Sequence, residues 1–190
     1  MAEIKLVPRS EVDPSITWDM TLLYPSDEAF YAELENLKKE MKAFKEKYEN
    51  NLGDLEVLDE AIRKYEAIEL AVYRASHYAE LPMTVDRLNP KVVENATAFE
   101  AVSVSYAENM SFVMTEIISL DEAFLNKFVA EKRPDLAYFV EKVIRQKKHT
   151  LSKDAEQVLS NLSSLPGFYQ LYEVTKHEDM QFESFEANGK

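Results

Sequence analysis

Apolar side chains recur at steps of four and three along Phe30, Leu34, Leu37, Met41, Phe44 and Tyr48, with lysines and glutamates filling the positions between them. That spacing is the period of one helix face and forms a heptad-like seam. Ser26, followed by Asp27 and Glu28, supplies an N-cap and an acidic first turn, where the helix dipole favours carboxylates. A second helix, from about Asp54 to Leu81, carries Leu55, Leu58, Ile62, Tyr65, Ile68 and Val72, then the small residues Ala71, Ala75 and Ala79, which let another backbone approach closely. Pro82 stops it. A third opens with Asn89 as cap and Pro90 at the first helical position and runs as one element through Phe99, Tyr106, Met110 and Val113 to Ile117. It has few charges after Glu100, which predicts contact on more than one side and makes it the candidate central helix.

Shorter elements follow. Ser119 and Glu122 have the spacing of a capping box and open a helix to about Lys132; Pro134 starts another that bears Leu136, Phe139, Val140, Val143 and Ile144 and ends on Arg145, Lys147 and Lys148. Ser152 caps a further helix, and Gly167 separates it from an aromatic stretch, Phe168 to about Val174.

The pattern changes at both ends. Residues 1–25, punctuated by Pro8, Pro14 and Pro25, show no sustained helical period and read as an extended arm pinned down by Trp18. Residues 26–175 form the helical domain. Residues 176–190 place Phe182 and Phe185 in a β-like run ending in Asn188-Gly189, a tight-turn signal whose return strand is missing, so the polypeptide is expected to continue. The fold class expected is all-α: an antiparallel bundle of long helices with an extended N-terminal arm and a short C-terminal β-segment.

Composition narrows the function classes. The chain has 190 residues, 35 Asp plus Glu against 22 Lys plus Arg, and a formal charge of -13. That is a poor match for the phosphate backbone of nucleic acids or an anionic membrane surface. No run is long and apolar enough to span a bilayer and no secretory leader is visible, so a cytoplasmic address is the default. Zero cysteines exclude disulfides, thiolate metal sites and a cysteine nucleophile.

Catalytic chemistry leaves little trace. The histidines are His77, His149 and His177; His177-Glu178 is followed by Asp179, Met180 and Gln181, so the second histidine of a His-Glu-x-x-His zinc motif is absent. The residues three before the histidines are Arg74, Gln146 and Val174, which removes the Glu-x-x-His pairs of di-iron bundles. His77, beside Tyr73 and Tyr78, reads as a packed or interfacial histidine. No phosphate loop or nucleophile motif is present. The residues alone therefore give an acidic helical bundle belonging to a longer protein. A stand-alone helical interaction module is the alternative, and it would set the Phe30–Tyr48 seam on the surface against a partner.

Several ordered segments carry a resemblance. Arg9-Ser10-Glu11-Val12, Thr17-Trp18-Asp19-Met20 and Leu23-Tyr24-Pro25-Ser26 resemble the start of oligoendopeptidase F, a thimet-oligopeptidase-like zinc peptidase family. Tyr78-Ala79-Glu80-Leu81 with Asp86 and Asn89 is similar to the end of that family's second long helix, and His149-Thr150-Leu151-Ser152 with Glu156 and Leu159 to a later helix start. Asp179, Phe182, Phe185 and Gly189-Lys190 resemble the β-segment that follows its helical N-terminal domain. The sequence departs from the family at Pro82-Met83-Thr84 and Arg87-Leu88.

The resemblance implies an N-terminal domain that folds over a catalytic half and closes a channel admitting short peptides. Zinc, the His-Glu-x-x-His motif and a further glutamate ligand belong to that half. No catalytic, cofactor-binding or metal residue transfers to this chain, and substrate-lining residues stay unassigned. The implied partners are the missing C-terminal catalytic domain and peptide substrates, with no nucleic acid and no membrane. A face left uncovered would also allow a homo-oligomer.

Overall fold

A computed structural model describes residues 11–149 together with Tyr172, Thr175 and Lys176. Among them every regular element is helical: α1 (Asp27–Tyr48), α2 (Leu55–Glu80), α3 (Pro90–Met110), α4 (Phe112–Ser119), α5 (Glu122–Glu131) and α6 (Ala137–Gln146). The caps expected at Ser26 and Asn89 form, with Ser26 accepting from Ala29 N and Asn89 from Lys91 N, and Asp54 caps α2 by accepting from Glu56 N and Val57 N.

The α1 seam is the core. All six of its residues are buried, against Leu58, Ala61, Ile62, Ile68, Ala75 and Ala79 of α2 and Phe99, Val102 and Met110 of α3. Side-chain bonds fix the directions. Tyr78 meets Asp27, Lys64 meets Glu40 and Lys47 meets Glu60, so α1 and α2 are antiparallel. Asn95 meets Asp27 and Lys45 meets the Glu108 carbonyl, so α1 and α3 run parallel. The α1–α2 turn passes through Asn50 at φ 63, with its N–H donated to Glu116 of α4.

A second tier, α4 to α6, is joined to α2 by buried Arg133. Its guanidinium grips Asp135 through Nε (2.9 and 3.0 Å) and Nη2 (2.7 Å), donates from Nη2 to Glu66 (2.8 Å), and lies 4.0 Å from Asp59. Lys132 pairs with Glu56 beside it, and Lys147 donates to the Leu120 carbonyl.

Four expectations are corrected. The element read as continuous from Pro90 to Ile117 is interrupted at Ser111. There the Asn109 amide donates to the Ser105 carbonyl (2.7 Å) and Lys45 to the Glu108 carbonyl (2.9 Å), so side chains take acceptors that ladder N–H groups would use. No single helix is central: α3 meets both α1 and α2, as its low charge predicts, but shares the core with them and leaves Val93 and Val104 on an open outer face. The cap of α5 is Asp121, accepting from Ala123 N and Phe124 N, while Ser119 donates back to the Glu116 carbonyl. The described part of the arm is wound into 3-10 turns at Pro14–Ile16 and Met20–Leu22, stabilised by Asp13 and Asp19, which accept from Ser15 N and Thr21 N. The helix after Ser152, all of the Phe168–Val174 stretch except Tyr172, and the proposed β-segment after Lys176 lie outside the described residues.

Candidate functional site

The end of the bundle where α1 starts, α2 stops and α3 starts collects most of the unusual side chains. Tyr24, only 8% exposed, sets its ring edge-on to Phe30 (5.6 Å) and Tyr78 (5.4 Å), with Arg74 over its face (5.6 Å). Arg74 also donates to the Leu23 carbonyl at 2.7 Å. Tyr24 therefore anchors the arm. Trp18 does not: it is 83% exposed.

Behind the stack lies a polar network. Tyr78 Oη donates to Asp27 Oδ1 (2.8 Å), Asn95 Nδ2 donates to the same oxygen (3.1 Å), and Tyr31 Oη donates to Asn95 Oδ1 (2.7 Å). Lys91 closes it, 3.1 Å from both Tyr31 Oη and Glu94 and 3.6 Å from Asp27 Oδ2. Burial pushes the Asp27 carboxyl upward, but the bonds from Tyr78 and Asn95 and the Lys91 charge outweigh it and hold the group below its ordinary value. Burial and the facing Asp27 push the Tyr78 phenol up to about 12. A phenol this reluctant to ionise next to a carboxylate this reluctant to protonate is a fixed donor–acceptor pair. The network orients helix ends and offers no nucleophile.

Farther along the bundle Tyr65 and Tyr106 share a hydrogen bond (3.0 Å) and Tyr106 donates to Glu69. Burial and then Glu69 raise the Tyr106 phenol. This too is a closed polar pair between α2 and α3.

In front of the network, the arm and the α2–α3 connection enclose a cleft of about 360 Å³. Ile16, Trp18 and Met20 form one wall and Pro82, Val85 and Val92 the other, with the Asp86 side chain among the lining groups.

Neither described histidine lies in a cluster able to hold a metal. His77 is half-buried, its ring 4.2 Å from the Tyr73 ring and its Nδ1 2.8 Å from the Tyr73 carbonyl. His149 sits exposed in a 3-10 turn, and His177 lies outside the described residues. No group of three or more His, Cys, Asp or Glu able to hold a metal is found among the described residues. The sequence reading missed the Tyr24 anchor and the Asp27–Asn95 network. Their only signal was polar or phenolic groups, Tyr31, Tyr78 and Asn95, near the inward faces of strongly periodic helices.

Known proteins resemble this chain in sequence and in fold. The sequence profile described as Oligopeptidase F matches residues 116–182. An oligoendopeptidase F homolog of Borreliella burgdorferi is 25% identical over 179 residues, covering 93% of this chain. The oligopeptidase PepF of Bacillus subtilis is 28% identical over 192 residues, covering 97% of it. The chain is similar to oligoendopeptidase F proteins over nearly all of its length. It spans about 30% of the length of the oligoendopeptidase F homolog of Borreliella burgdorferi and 28% of the Bacillus subtilis PepF. The fold agrees as well. A crystal structure of a protein from Chlamydophila abortus, named as a candidate peptidase, superposes with a TM-score of 0.68 at 22% identity, over 94% of this chain and 31% of that one. Among the described residues no helix is long and apolar enough to cross a membrane.

Proposed function

We propose that this chain is the substrate-gating N-terminal region of a zinc-dependent oligoendopeptidase that hydrolyses short peptides. The single observation carrying the reading is that proteins named oligoendopeptidase F match nearly all of this chain along less than a third of their own length. In this reading bond cleavage belongs to a catalytic half elsewhere in a longer polypeptide, where zinc would supply Lewis-acid activation of water. The described residues here do not assemble a site that fits zinc.

The contribution of this chain is steric. A bundle whose seam is fully buried and whose helix ends are tied by Tyr24, Asp27 and Asn95 is a stiff wall. Packed over a catalytic half, such a wall narrows access to what a short, unfolded peptide can thread. A cytoplasmic location and a homo-oligomer through an uncovered face accompany the reading.

The stand-alone interaction module needed the Phe30–Tyr48 seam on the surface, and that seam is inside the bundle. The proposal is tested by measuring peptide cleavage with added zinc, for this chain and for a polypeptide of the relatives' length that includes it. Turnover by the longer polypeptide alone supports gating; zinc-dependent turnover by this chain overturns it.

A further inference from the structure

We propose that the arm, the α2–α3 connection and the outward side of α3 form the interface through which this chain docks on the remainder of a longer polypeptide. The inference rests on the reading above and deepens it by assigning the surface that makes the contact.

The first observation is where the exposed apolar groups stand. Eleven large apolar side chains are exposed among the described residues, and seven of them belong to adjoining segments: Ile16, Trp18 and Leu22 on the arm, Val85 and Leu88 on the connection, Val93 and Val104 on α3. Helix α1 contributes none. Single exposed apolar residues are ordinary, but here the arm and the connection share one concave surface, and α3 starts directly from it. Val93 and Val104 are about three helical turns apart, which sets them on the same side of α3. The second observation is charge. Half of α1 is charged, eleven residues of 22, and its outward positions are mostly Lys and Glu, a surface suited to water. In α3 only four residues of 21 are charged, and its exposed positions include Thr97, Ala101, Ser103 and Ala107 beside the two valines. Loss of charge together with an exposed aromatic is the composition of an interface core, and charges of both signs around it, Asp13, Asp19 and Arg87, suit a polar rim.

The third observation is extent. Trp18, 83% exposed, offers roughly 200 Å² by itself, and the aliphatic side chains bring the apolar total to on the order of 500 Å². That suffices for one side of an inter-domain contact, which buries roughly 600–1,500 Å². Length selects the occupant. Relatives that match nearly all of this chain do so along less than a third of their own length, so in such a polypeptide the remainder is more than twice this chain's size. A tethered body of that size meets the patch at an effective concentration of about millimolar. A second copy of this chain has no tether and brings its own formal charge of -13 against the first.

Hydroxyl-radical footprinting read by mass spectrometry tests the assignment at Trp18. At equal radical dose, Trp18 in a polypeptide of the relatives' length should be oxidised at least about fivefold more slowly than in this chain alone, as for a side chain moved from open surface into an interface core. Leu88→Glu, at a position 92% exposed, should leave the thermal melt of this chain unchanged yet restore about half or more of the Trp18 oxidation in the longer polypeptide. Peptide cleavage by the same longer sample tests the peptidase reading independently, so protection of Trp18 without cleavage supports the interface and counts against that reading. Cleavage with Trp18 oxidised as fast as in this chain alone, protection unmoved by Leu88→Glu, or protection that appears in this chain alone as its concentration rises would each overturn the proposal.

Discussion

The contrast between Tyr24 and Trp18 gives a sharp test of how the arm is held. Hydrophobicity alone nominates Trp18, yet Tyr24 is 8% exposed and Trp18 83%. An aromatic side chain of roughly 200 Å² that is nine-tenths covered contributes about 4.5 kcal/mol at ~25 cal/mol per Å² as an upper figure. Truncating a buried aromatic to alanine typically costs about 3–5 kcal/mol. Tyr24→Ala also discards edge-on contacts to Phe30 and Tyr78 and the Arg74 contact, so about 3–4 kcal/mol is the expected loss. Trp18→Ala should stay within about 0.5 kcal/mol, as exposed substitutions do. Urea denaturation followed by far-UV circular dichroism checks both. With a slope of roughly 1–3 kcal/mol per molar, the Tyr24→Ala midpoint should fall by about 1–4 M while Trp18→Ala overlays the parent. A Trp18→Ala loss of about 2 kcal/mol or more, with Tyr24→Ala under about 1 kcal/mol, would refute the assignment of the anchor.

Two further outcomes follow from the same end and the opposite turn. The Asp27 carboxyl lies below its ordinary 3.8, so it stabilises the fold above that pH and the contribution is lost as pH falls through the lower folded value. Asp27→Asn should therefore flatten the acid limb of a stability-against-pH curve below 3.8, and an unchanged limb would contradict the network. Asn50 sits at φ 63, where a side chain is strained and glycine is not. Asn50→Ala should lower stability by about 1 kcal/mol in thermal melts and Asn50→Gly by much less; the reverse order would count against the turn geometry.

Much of the scaffold was legible because it rests on local chemistry. The six-residue seam from Phe30 to Tyr48 is buried as its period requires, and Ser26 and Asn89 cap the helices they precede. Errors arose where tertiary partners decide. No proline or glycine marks Ser111, and the break there depends on Lys45 reaching the Glu108 carbonyl from another helix. Ser119 and Asp121 are both competent caps, and only the trajectory of the α4–α5 link chooses Asp121. The candidate site was hardest to read. Trp18 earned burial from its composition alone, whereas its exposure follows from how the 3-10 turns at Pro14–Ile16 and Met20–Leu22 steer the arm. The Asp27–Asn95 pairing spans 68 residues, a distance no local motif encodes.

Arg133 has a consequence for how the bundle comes apart. Its guanidinium is buried against Asp59 and Glu66 of α2 and is gripped by Asp135 beside α6, so swinging the α4–α6 tier away would carry Asp135 along but part the cation from Asp59 and Glu66. That intermediate is costly, and the cheaper route loosens both tiers at once. Amide protons in α5 and α6 should accordingly exchange at the pace of α2, and the two tiers should behave as a single opening unit.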